Sequence, residues 1–285
     1  MSRVLTVLAA ILCTAAAAVA QQPRVSNGQV QTRPAGGTLD GTIRDVASRS
    51  TQPTWIGYAV PTTNRDNQMC CWSNGGTVTC NLEPGSNSAA PAAPVSGPVR
   101  LDSGDLFFVF LRVEQGEVTR IRTFSEECPL DAGGGTIQWL TGVNPRDSVS
   151  TLTTYATASV RKTMDAALAA ISMHADASAL DTLVKLARSA ESPHVRGQSL
   201  FWLAQRAGQK AAGTITEAIE KDPETDVKRR AVFALSQLPK DEGVPLLITV
   251  ARTNANPAVR KQAIFWLGQS KDARALKFFE EILFK

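Results

Sequence analysis

Cys70, Cys71, Cys80 and Cys128 are the residues of this sequence best suited to covalent chemistry. Two adjacent cysteines can act as a redox pair, or each can be half of a structural disulfide. Cys70-Cys71 lacks the two intervening residues of a thioredoxin-like motif, and no His or Lys is close in sequence to lower a thiol pKa. The four therefore read as two disulfides formed in an oxidising compartment. If Gly75-Gly76 forms a two-residue hairpin turn, the pairs run Asn74:Thr77, Ser73:Val78, Trp72:Thr79 and Cys71:Cys80. That register brings Cys71 within disulfide reach of Cys80 and leaves Cys70 to join Cys128.

The remaining candidates for chemistry are sparse. His174 and His194 both fall near junctions between helices, neither has a second His four residues away, and no zinc-type cysteine spacing exists. Ser159 and Lys162 satisfy the Ser-x-x-Lys spacing of penicillin-recognising enzymes but lack the companion motifs. No Gly-x-Ser-x-Gly and no phosphate-cradling glycine loop occurs. The sequence thus offers no catalytic residue, no metal site and no cofactor site.

The chain opens Met-Ser-Arg, continues with an apolar run over residues 4–19 and offers a small-x-small site at Ala18-Val19-Ala20, the layout of a secretory signal peptide over 1–20. Cys13 follows Leu12 rather than a small residue, which disfavours lipidation. No later window is long and apolar enough for a membrane span. Export to the periplasm or beyond is the expectation.

Residues 21–50, rich in Gln, Gly, Ser, Thr and Arg, read as a flexible arm. A small β domain is expected over 51–145. Residues 54–60 form one strand, and 106–113 pair with 118–124 across Glu114-Gln115-Gly116-Glu117. Residues 84–98 form a long Pro/Ala/Ser loop, and Gly133-Gly134-Gly135 turns the chain before Ile137-Gln138-Trp139-Leu140.

The second half, 146–285, repeats itself. Phe-Trp-Leu-Ala-Gln at 201–205, Phe-Ala-Leu-Ser-Gln at 233–237 and Phe-Trp-Leu-Gly-Gln at 265–269 are spaced 32 residues apart. Val195, Val227 and Val259 share a column, followed by Arg196, Lys228 and Arg260. A second helix of each unit aligns through Leu183, Ile215, Leu247 and Phe279, and a weaker early copy passes through Ala167, Leu168 and Ile171. Such self-similarity means stacked helix pairs, each needing its neighbours to bury its apolar stripe.

Val259-Arg260-Lys261-Gln262-Ala263-Ile264 with Leu267-Gly268 resembles the HEAT-repeat family, in the short bacterial form related to the repeats of phycobilin lyases. The resemblance spans residues 160–285. It implies a right-handed superhelix of about four helix pairs, with the Val-Arg helices on the concave side and the arginine column bonding between repeats. The fold class expected for the whole is α+β, a disulfide-stapled β domain followed by an α-solenoid. HEAT-like hydroxylases carry repeated His-Glu pairs for a di-iron site, and this chain has none.

A helical wheel at about 100° per residue places the Val, Ala/Ser and Leu columns in one buried arc, with Trp202 and Trp266 at its edge as packing residues. Phe201, Phe233 and Phe265 fall nearly opposite that arc, beside Gln205, Gln237 and Gln269 and close to Arg229, Arg230 and Lys261. An apolar ladder on a polar face marks a contact. The functional expectation is a scaffold that holds a protein or peptide segment noncovalently, with Phe anchors, Gln amides meeting backbone and Arg/Lys meeting carboxylates. Two alternatives stand beside it: a structural protein whose β domain fills the groove, and a lyase-like enzyme with a site at the domain junction.

Charge adds little. Residues 24–154 carry 10 Arg, no Lys and 12 acids, whereas 155–285 carry 19 Lys+Arg against 14 acids. That modest basic excess gives no reason to expect nucleic acid. The apolar C-terminal helix, with Phe278, Phe279, Ile282, Leu283 and Phe284, leaves open a homodimer through that surface.

Overall fold

The computed structural model describes residues 22–63, 69–73, 76–83 and 104–284, without the side chains of Ser73 and Gln209. The signal-like segment 1–20 and the loop expected at 84–98 lie outside the described residues.

The strongest strand sequences form the centre of a mixed sheet. β3 (Thr54–Pro61) pairs antiparallel with β7 (Leu106–Glu114), which pairs antiparallel with β8 (Glu117–Ser125). Gln115 and Gly116, at φ 52° and 82°, make the tight turn between them, a conformation that suits the right-handed twist of a hairpin. On the other side β3 runs parallel to β10 (Thr136–Thr141), and β10 runs parallel to β2 (Gln29–Pro34), giving the order β2-β10-β3-β7-β8. A second, small sheet orders β1 (Val25–Ser26), β9 (Leu130–Asp131) and β6 (Cys80–Asn81), and β4 (Cys71–Ser73) pairs with β5 (Gly76–Val78).

Residues 22–50 are not part of a flexible arm of the kind expected over 21–50. They supply β1, β2 and α1 (Leu39–Arg49). β2, Gln-Val-Gln-Thr-Arg-Pro, is an edge strand, so it needs no apolar alternation to be held by its neighbour's backbone. α1 is capped by Thr38, whose hydroxyl accepts from Gly41 N, and it buries Leu39, Ile43, Val46 and Ala47. Their spacing is one helical face.

The register of the cysteine hairpin also differs from the expectation. Cys71 pairs with Val78, Trp72 with Thr77 and Ser73 with Gly76, and Asn74 and Gly75 lie outside the described residues. The shift is by two residues, and strand side chains alternate with period two, so Cys80 stays on the face that Cys71 uses. Disulfides join Cys71 to Cys80 and Cys70 to Cys128, each with Cα atoms 5.2 Å apart. Trp72, between the strands' ends, is left exposed.

Each face of the sheet has its own core. Trp55, Phe108, Phe110, Phe124 and Trp139 pack with Cys80, Leu82, Cys128 and Leu130 beneath the stapled segments. Gly57 lies directly opposite Phe110 and Trp139 in the two ladders. A Cβ there would fall 2.7 Å from Phe110 and 2.9 Å from Trp139. Gly57→Ala is therefore expected to lower stability by about 1–3 kcal/mol through overpacking, read as a lower urea midpoint at unchanged slope.

Ile56, Tyr58, Val60, Phe107, Val109 and Leu111 face the other way, into a cluster that is continuous with the helices. These follow without interruption among the described residues: α2 (Pro145–Ala156), α3 (Arg161–Met173), α4 (Ala177–Ser189), α5 (Pro193–Ala207), α6 (Gln209–Lys221), α7 (Thr225–Ser236), α8 (Lys240–Thr253), α9 (Pro257–Ser270) and α10 (Ala273–Leu283). Their boundaries are written in the chain. Asn144, Asp176, Ser192, Asn256 and Asp272 each cap the next helix through the side chain, three of them followed by Pro at the first helical position. Pro245 inside α8 cannot donate to Asp241 O, and Arg274 of α10 reaches that carbonyl at 3.5 Å and Lys240 O at 2.8 Å.

α3, α5, α7 and α9 pack side by side, with α4, α6, α8 and α10 completing the pairs and α2 packed on α3 and α4. The sheet meets this stack at α3, which packs on β8.

Candidate functional site

The 32-residue period places equivalent residues of α5, α7 and α9 next to one another, and this turns the Phe-Trp columns into a continuous aromatic run. Phe201 and Phe233 stack with ring centroids 5.8 Å apart and planes 3° from parallel. Trp202 abuts Phe201 edge-on at 5.0 Å, Trp266 lies 4.9 Å from Phe233, and Phe265 meets Trp266 at 5.0 Å. The ladder is graded in exposure: Phe201 and Phe233 are half-buried, while Phe265 is 53% exposed. The wheel alone made all three equally exposed. It treats one helix at a time and omits the cover that stacked neighbours give each other.

The polar residues of the same face divide into those engaged and those free. Gln205 Nε2 donates to Gln237 Oε1 at 3.3 Å, extending the repeat as an amide pair, and Gln269 is exposed. Arg229 pairs with Asp226 at 3.4 Å and donates to Gln262 at the same distance. Arg230 is half-buried against Gly197, and Lys261 is exposed. Gln237, Gln269 and Trp266 also line a cavity of about 410 Å³ between α7, α8 and α9.

Phe233 is thus neither open surface nor core. Phe233→Ser is expected to cost about 1–2 kcal/mol in urea unfolding, between the roughly 0.5 kcal/mol of a surface change and the 3–5 kcal/mol of emptying a buried aromatic site.

The basic column is structural. Arg196 is buried; its Nε and Nη2 meet both oxygens of Asp222 at 2.7 and 3.1 Å, and its Nη1 donates to Ala190 O and Glu191 O at the end of α4. Arg260 repeats the second part of this pattern on Asn254 O and Ala255 O, and Lys228 donates to Glu220 O. Orphan carbonyls at helix ends are satisfied this way.

The junction between sheet and helices holds a group that no sequence motif announced. His174 Nδ1 donates to Ala170 O at 2.8 Å, so the neutral ring must accept at Nε2, which lies 2.8 Å from Ser148 Oγ. Ser148 Oγ in turn lies 2.9 Å from Tyr58 OH. A hydroxyl beside an imidazole has the composition of a nucleophile and its base, but all three residues are fully buried. Burial pushes the Tyr58 hydroxyl up and the His174 imidazole down to about 4. The chain Tyr58–Ser148–His174–Ala170 satisfies buried polar atoms where β3 meets α3. Thr62 Oγ1 and Thr63 N both donate to Met173 O at 3.0 Å, and Arg206 covers Ser172 O and His174 O. The other histidine, His194, bonds Asp165 at 2.5 Å and faces Arg161. Among the described residues no group of three or more His, Cys, Asp or Glu side chains is placed to hold a metal ion.

With this geometry in hand, residues 212–284 match the family described as HEAT repeats, and the N-terminal region matches no family. No curated protein matches the chain. Among solved structures the chain is similar to human deoxyhypusine hydroxylase in complex with glycerol, at 17% identity and a TM-score of 0.36, covering 43% of each chain. It is also similar to the Escherichia coli protein YibA, at 21% identity and a TM-score of 0.35, covering 48% of this chain and 54% of that one. The chain thus spans about half the length of these proteins or less. The match takes in the helices from α6 to α10 of the helical-repeat stack.

Proposed function

We propose that the protein is an exported scaffold that holds a protein or peptide segment noncovalently along the face formed by α5, α7 and α9, the concave side of a right-handed stack. The aromatic ladder carries this reading: rings continuous over three repeats, with Phe265 more than half exposed, supply apolar anchors for a partner. Gln205, Gln237 and Gln269 supply amides for its backbone. Two disulfides, and the absence among the described residues of a helix long and apolar enough to cross a membrane, are compatible with export.

Affinity-tagged protein purified from its producing cells is expected to carry a bound protein that Phe265→Ser loses, with the melting temperature little changed. A partner retained in full by Phe265→Ser and by Phe201→Ser overturns the reading. Leu276, Ile282, Leu283 and Phe284 form a second exposed apolar surface on and beside α10, which favours self-association as an additional property. Light scattering should then give a dimer mass that Leu283→Glu halves.

A further inference from the structure

We infer that the segment held on the ladder is acidic, and that Arg230 receives one of its carboxylates beside an apolar anchor; this rests on the reading of the ladder as a binding face. Arg230 stands one turn before Phe233 on α7. Its stem is laid over Gly197 of α5, where an added Cβ would fall 2.3 Å from Arg230 Cδ. A side chain at position 197 would push the arginine stem aside.

Arg230 is partly buried and makes no hydrogen bond or ion pair among the described residues. Its guanidinium has five donors and no acceptor. The helices that form this face carry few carboxylates. α3, α5, α7 and α9 contain two, Asp165 and Asp226. Asp165 accepts from His194 at 2.5 Å and from Gln198 at 3.5 Å, and Asp226 pairs with Arg229 at 3.4 Å. On α9, Lys261 is exposed and likewise unpaired among the described residues. Arg229, Arg230 and Lys261 thus outnumber Asp226 on α7 and α9, and a planar guanidinium carried one turn before Phe233 suits a carboxylate taken through two parallel N–H bonds.

The test is selection of a displayed library of random peptides on the immobilised protein. The expected winners place Asp or Glu beside an aromatic or large aliphatic residue. Changing that acid to its amide in a synthetic winner should weaken binding about ten-fold, the effect of one charge-assisted contact. Arg230→Gln should erase the difference between acid and amide peptides, and Arg230→Lys should keep part of it. Winners that are apolar without acids, or an acid preference untouched by Arg230→Gln, overturn the inference and leave the ladder reading standing. No enrichment beyond that of a Phe201→Ser/Phe233→Ser control overturns both. The acid-to-amide change is made in the peptide, so it tests the carboxylate even if an Arg230 variant folds poorly.

Discussion

Acidification from pH 7 to pH 4 is expected to remove about 3 kcal/mol of folding stability through His174 alone. The folded imidazole titrates near 4, because burial disfavours its charged form, with Arg206 adding to the depression and the Ala170 carbonyl and Asp176 opposing it. In the unfolded chain it titrates near 6.5. Above 6.5 both states hold the ring neutral and stability is complete. Between 6.5 and 4 the unfolded chain takes up a proton that the folded one refuses, so stability falls with pH; below 4 both are protonated and no more is lost. Carboxylates titrate toward the lower end of this window, so the comparison is with His174→Gln, whose amide can still accept from Ser148 and donate to Ala170. Urea unfolding at pH 7, 5.5 and 4.5 should show the parent losing the excess. Parallel losses in parent and variant would mean that His174 is not held neutral at the junction.

Asp222→Ala is expected to cost about 3–5 kcal/mol, because it strands the buried Arg196 guanidinium. Both side chains are under 10% exposed, and the pair joins the start of α5 to the segment that follows α6. Asp222 also accepts from Glu224 N at 2.9 Å. Replacing both partners, Arg196→Met with Asp222→Ala, should recover a large part of the loss, since the stranded charge goes with them. A loss under 1 kcal/mol for Asp222→Ala alone would show that water reaches the arginine. One period later Asn254 stands where Asp222 does and Lys228 where Arg196 does, and no ion pair forms between them. The first of these joints is therefore the more sensitive.

Periodicity was legible because it is a one-dimensional signal: the columns at 32-residue spacing mark α5, α7 and α9 without knowledge of contacts. The β7–β8 hairpin was legible for a similar reason, as Gln115-Gly116 stands between two apolar runs. What escaped depends on partners distant in sequence. β2 is polar and is held by β10, more than 100 residues away. The face of α1 was spelled by Leu39, Ile43, Val46 and Ala47, but its polar surroundings hid it. The register of the cysteine hairpin was not legible because Asn-Gly and Gly-Gly are both good turn pairs in a sequence. At the candidate site, the sequence located the aromatic ladder but not its graded exposure, nor the crossing of Arg230 over Gly197, which requires two helices. Tyr58, Ser148 and His174 come from three elements, and nothing in their spacing joins them.

The central claim, that the α5–α7–α9 face holds a protein segment, is tested most directly by photocrosslinking in the producing cell. A photoreactive phenylalanine analogue at position 265 should yield a discrete covalent adduct, and the same analogue at Lys185, exposed on α4, should not. Adducts at neither position, or equally at both, would contradict the account and leave the ladder as a packing feature of the repeats.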